Sequence, residues 1–81
     1  MYSVYIIYSK KNSRYYIGMT EDVLKRVFDH NGNKNISTKN KGPWELVYSE
    51  NCIDKKVAWF REKQIKSYKG GEAFRKLINH K

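Results

Sequence analysis

At 81 residues the chain has room for one domain, spanning 1–81, with a small core and no second unit. Seventeen Lys and Arg against eight Asp and Glu leave a formal charge of +9, more than solubility asks of so small a domain, which favours a polyanion partner such as nucleic acid. A single cysteine, Cys52, excludes an internal disulfide and a cysteine-rich zinc site and suits a reducing cytoplasm.

Residues 2–9 are rich in Tyr, Val and Ile, which favour a strand. Tyr2, Val4, Ile6 and Tyr8 share one parity and Tyr5 and Ile7 the other, so both faces should be covered and the strand should be central in its sheet. This opening run lacks a basic lead-in and is too short for a signal peptide or a membrane span; a cytoplasmic protein with no membrane association is expected. Residues 10–13 form a polar turn and 14–18 a second aromatic strand, together a hairpin. Thr20 is the expected N-cap of a first helix, with Glu21 and Asp22 at the positive end of its dipole and a stop at Asn31 and Gly32. Val23, Leu24, Val27 and Phe28 span a face of roughly 140° at 100° per residue. Arg26 and His30 are four apart, stack one above the other, and border that face.

Residues 31–42 carry Lys34, Lys39 and Lys41 and no acid; the length suits a nucleic-acid-binding loop as well as a plain connector. Residues 44–52 read as a third strand. Asp54 should cap a second helix reaching Gly70 and Gly71, with Val57, Ala58, Ile65 and Tyr68 on its apolar face and Phe60 to one side. Arg61 falls inside this arc and Glu62 on its other edge, where a charge needs a partner or a metal. Lys66 is the surface partner open to Glu62 at i,i+4. Trp44 and Trp59 read as core aromatics ahead of base-stacking platforms. A last helix to about residue 79 places Ala73, Phe74, Leu77 and Ile78 at helical spacing. The order β-β-α-β-α-α implies an α+β fold, a three-stranded, mostly antiparallel sheet flanked by helices.

Five residues stand out as carriers of chemistry: Tyr5, Tyr16, Arg26, His30 and Glu62. If the hairpin turn holds an even number of residues, the two tyrosines share a sheet face. The stretch Ser3-Val4-Tyr5, ten intervening residues, and Tyr16-Ile17-Gly18 resembles the signature of the GIY-YIG nuclease superfamily. The likeness continues through Leu24-Lys25-Arg26 and His30-Asn31, with Arg26 ten residues after Tyr16, and through Trp59-Phe60-Arg61-Glu62-Lys63-Gln64-Ile65-Lys66. It is nearest to small stand-alone bacterial members related to the nuclease domain of the excision-repair incision subunit. Two departures are visible: Ser-Val-Tyr replaces Gly-Ile-Tyr, and Met19 stands where incision subunits tend to carry lysine.

The resemblance implies a metal-dependent endonuclease acting on DNA ahead of RNA, with structured or damaged DNA and repair as its setting. Tyr5, Tyr16, Arg26 and His30 would be catalytic and Glu62 would bind one divalent metal, Mg²⁺ or Mn²⁺. Gly18 and Asn79 would be accessory, and Lys34, Lys39, Lys41, Arg61 and Lys63 would touch nucleic acid. A lone carboxylate suits a hard cation whose shell is completed by water and phosphate oxygens. A guanidinium suits the phosphate's equatorial oxygens. The general base is left open between Tyr16, whose residue type has an unperturbed pKa of about 10, and His30, at about 6.5. The alternative is a nucleic-acid-binding module on the same fold with little or no turnover. A protein partner or a homo-oligomer would compensate for the missing targeting domain.

Overall fold

The computed structural model describes residues 1–32 and 39–79. Its elements are β1 (Tyr2–Ser9), β2 (Arg14–Thr20), α1 (Val23–Asn31), β3 (Trp44–Cys52), α2 (Lys55–Ser67) and α3 (Glu72–Asn79), in the expected α+β order. The strands form one antiparallel sheet in the order β2-β1-β3. The strand with apolar residues at both parities is therefore the central one, and Val4, Tyr5, Ile6 and Ile7 are each no more than 2% exposed. Among the described residues no helix is long and apolar enough to cross a membrane.

Strand parity divides the interior into two cores. Val4 and Ile6 pack with Cys52, Ala58, Ile65 and Phe74 beneath α2 and α3. Tyr5 and Ile7 pack with Trp44, Tyr16, Val23, Val27 and Leu46 beneath α1. In the hairpin, Tyr5 faces Gly18, Ile7 faces Tyr16 and Ser9 faces Arg14, leaving residues 10–13 in the turn. That even count puts Tyr5 and Tyr16 on the same face as diagonal neighbours.

Several local expectations are corrected. Thr20 ends β2, and Asp22 caps α1 by accepting from the Lys25 N–H. Leu24 and Phe28 are 77% and 70% exposed, whereas His30, expected at the border, is fully buried. The helix is rolled so that Val23, Val27 and His30 meet the sheet, and the two larger hydrophobes point outward. Asp54 caps α2 as expected, but the helix stops at Ser67 with Tyr68 as C-cap, short of Gly70 and Gly71. Val57 and Phe60 are exposed, and Trp59, expected in the core, is 44% exposed; Trp44 is buried.

Polar ties hold the helices in place. Asn31, at the end of α1, donates through Nδ2 to the Trp44 carbonyl (3.2 Å) and accepts through Oδ1 from the Trp44 N–H (2.6 Å). Arg61 explains its place in the α2 arc by donating to Glu50 at 2.9 Å and to Gln64 at 2.9 Å, while the Tyr48 hydroxyl donates to the same Glu50 carboxylate.

Ile6→Ala should cost about 2–5 kcal/mol, because Ile6 is fully buried in the centre of the sheet. Leu24→Ala should stay within about 0.5 kcal/mol. Chemical denaturation of the two variants checks this contrast.

Candidate active site

The α1 face of the sheet gathers the candidate residues. Tyr5, from β1, is 2% exposed, and its hydroxyl lies 2.9 Å from Nε2 of the buried His30. Tyr16, from β2, is half-buried beside them, with its ring centre 4.9 Å from that of His30 and 6.4 Å from that of Tyr5. Trp44 closes the group, 6.3 Å from His30 and 6.4 Å from Tyr16 between ring centres. Arg26 sits half-buried one helical turn before His30, and its charge acts on both Tyr5 and His30.

Gly18 is fixed by contact. A Cβ there would lie 2.7 Å from Tyr5 Oη and 2.9 Å from Cζ, so the phenol lies directly across the glycine backbone. Any larger residue displaces the ring that meets His30.

The electrostatics keep the pair neutral. Burial pushes the Tyr5 phenol well above its ordinary range, and neighbouring Tyr16 and Glu62 charges add to this, while Arg26 works in the opposite direction without prevailing. Burial, with Arg26 second, lowers the His30 imidazole below its ordinary value, against a smaller upward pull from Asp29. A neutral phenol against Nε2 of a neutral imidazole makes one buried hydrogen bond, whose donor is set by the imidazole tautomer.

Glu62 stands in a different layer. Its helix packs through Ala58 and Ile65 on the face opposite α1, chiefly against β2 and β1. The carboxylate is nevertheless near enough for its charge to raise Tyr5, its side chain is only 18% exposed, and it pairs with Lys66 Nζ at 2.7 Å. Because β2 is an edge strand, a side chain can act on the other face from beside that edge without crossing the sheet. Among the described residues no three His, Cys, Asp or Glu cluster as a cage, and a hard cation held at Glu62 would complete its shell with water and phosphate oxygens.

The other candidates scatter. Lys39 and Lys41 are exposed at the described end of the connector, where the Lys41 carbonyl accepts from Ser9 Oγ at 2.5 Å, and Lys34 lies outside the described residues. Arg61 is engaged by Glu50 on the far face. Lys63 rests over the Trp59 ring at 4.5 Å. Asn79 borders a depression with Tyr8, Tyr15 and Ile78 on the face away from Tyr5, so it does not join the group. Sequence reasoning missed the Asn31 clamp on Trp44, which anchors the residue next to His30; a side-chain amide just before a helix-ending glycine was its only signal.

This fold corresponds to a known catalytic domain. The profile of the GIY-YIG catalytic domain matches residues 1–73. A UPF0213 protein of Staphylococcus epidermidis is 42% identical over 66 residues, covering 80% of this chain and 79% of that protein. A UPF0213 protein of Haloquadratum walsbyi is 40% identical over 67 residues, covering 80% and 73%. The solution NMR structure of the UPF0213 protein BH0048 from Bacillus halodurans superposes with a TM-score of 0.59 at 27% identity, covering 99% of this chain and 89% of that one. The chain belongs to the GIY-YIG family, a family of nuclease-type catalytic domains.

Two outcomes follow from the geometry. Gly18→Ala should push Tyr5 off His30 and cost about 1–3 kcal/mol by overpacking, read as a lower denaturation midpoint and a changed His30 ring resonance. The His30 resonance should titrate below 6.5, the ordinary value, and Arg26→Ala should move its midpoint upward. Between the lowered midpoint and 6.5 the unfolded chain binds more protons than the folded one, so His30's contribution to stability is present above 6.5 and is lost as the pH falls. A His30 midpoint that does not rise in Arg26→Ala contradicts this account.

Proposed function

We propose that this domain is a divalent-metal-dependent endonuclease hydrolysing phosphodiester bonds in DNA. The observation that carries the reading is the buried Tyr5–His30 pair with Tyr16 and Arg26 beside it, in a chain of charge +9.

Each group has a task. Arg26 binds the scissile phosphate and offsets the charge that grows on its equatorial oxygens. Tyr16 is half-buried, open enough to meet a water, and as its phenolate it takes the proton from the attacking oxygen and becomes the phenol. Tyr5 does not serve as that base: burial keeps it protonated, and charges on the two phenols oppose each other. Tyr5 and His30 instead hold the floor of the site in one hydrogen-bonded arrangement. Glu62 would hold Mg²⁺ or Mn²⁺, exchanging its Lys66 partner for the cation. When bound, the ion supplies a Lewis acid for the phosphate and a counter-charge for the leaving oxygen. Water oxygen bonds to phosphorus, the bond to the leaving oxygen breaks, and that oxygen takes a proton from solvent water to depart as a hydroxyl. One strand end keeps a phosphate monoester and the other a hydroxyl. We further place the enzyme in the cytoplasm, with DNA preferred to RNA.

The test is a panel of single-stranded, flapped, branched and blunt DNAs and matched RNAs, incubated with Mg²⁺ or Mn²⁺. Cleavage is expected, with none detectable in Glu62→Ala and a loss of about 10²–10³-fold in Arg26→Ala while both variants stay folded by circular dichroism. Salt-sensitive binding without turnover on every substrate would replace the enzyme with a binding module.

A further inference from the structure

α2 carries a second surface that the chemistry above does not use. Trp59 is 44% and Phe60 57% exposed, their rings meeting edge to face at 5.1 Å. Lys63 Nζ covers one side of Trp59 at 4.5 Å from the ring centre. Lys55 and Lys56 join the two aromatics around a depression of about 410 Å³. In a core-packing helix such aromatics belong inside; here Ala58 and Ile65 make the buried face and the indole is outside.

The helical wheel connects this surface to the candidate site. At 100° per residue from the buried Ala58, Glu62 lies at about 40°, Lys55 at about 60°, Lys66 at about 80°, Trp59 at about 100°, Lys63 at about 140° and Lys56 at about 160°. One flank of α2 therefore runs from the carboxylate at its sheltered edge, past the indole, to Lys63 and Lys56 at its open edge. Four lysines and one acid line that flank. The partner it complements is anionic and presents flat, apolar rings along its length.

We propose that Trp59, with Phe60 behind it and Lys55, Lys56 and Lys63 at its rim, is a stacking platform for an unpaired base of the substrate strand, within a few nucleotides of the phosphate held near Glu62. This rests on the nuclease reading and narrows it: the substrate class is DNA with a single-stranded segment, because a base inside a duplex cannot offer its face to the indole. Lys63 lies over the ring as a cation–π partner, and the base would stack on the part of the 44%-exposed indole that neither Lys63 nor Phe60 covers. Lys55 and Lys56 meet the flanking phosphates.

The experiment measures binding in EDTA, so its result does not depend on turnover. Fluorescence anisotropy compares a labelled oligothymidylate with a blunt duplex of equal length for the wild type, Trp59→Ala and Trp59→Phe. Wild type should bind the single strand, Trp59→Ala should lose roughly tenfold on it and less than twofold on the duplex, and Trp59→Phe should retain most of the affinity. Single-strand affinity unchanged in Trp59→Ala, an equal loss on both probes, or no wild-type binding to the single strand overturns the platform. If the wild type cuts nothing in the cleavage panel while the Trp59 pattern holds, the nuclease reading falls and the platform stands. If cleavage holds while Trp59→Ala is neutral, the platform alone falls.

Discussion

One buried hydrogen bond organises this domain: Tyr5 Oη to His30 Nε2, 2.9 Å, between the central strand and the first helix. Each group buried alone would lose its hydration without return, at a cost of a few kcal/mol. Together they satisfy each other, and the requirement propagates outward. Tyr5 can lie flat against β2 only where its cross-strand neighbour has no side chain, and that neighbour is Gly18. His30 can face the sheet only if α1 is rolled to present it, and the Asn31 clamp on Trp44 holds that roll at the next residue.

The roll of α1 has a visible cost. Leu24 and Phe28 lie open to solvent, while an imidazole and part of a guanidinium take the inward arc. Burying the two hydrophobes would have gained on the order of 1.5–3 kcal/mol each. Local rules are broken in this way most often at sites with a function to serve. The electrostatic outcome points the same way: within a chain of charge +9, the floor of the site is neutral, and Arg26 is the cation whose influence reaches both members of the pair.

The legible and illegible parts of the sequence divide along physical lines. Period-two patterning with apolar residues at both parities announced β1 as central, and the four-residue turn set the common face of Tyr5 and Tyr16. Asp54 was legible as a cap because its side chain serves an N–H three residues on, a local interaction. The rotation of α1 was not legible, because a helical wheel ranks arcs by hydrophobicity and carries no information about a buried polar partner on a strand 25 residues away. Trp59 was misassigned to the core for the same reason: its neighbours Ala58 and Ile65 already fill the contact with the sheet. The pairing of Arg61 with Glu50 joins α2 to β3, a tertiary contact with no local signature.

The layering of the fold then explains why a site at this place can draw on both helices. α1 packs mainly on β3 and β1, so the part of its face formed by β2, where Tyr16 stands half-buried, is less covered. α2 packs on the other face, mainly on β2 and β1, and so lies along the same edge from behind. A guanidinium from one layer and a carboxylate from the other can approach a common ligand only around a sheet edge, since the central strand would separate them. β2 is the edge strand that carries both the half-buried Tyr16 and Gly18, the glycine that admits Tyr5, and it is also a strand on which α2 packs.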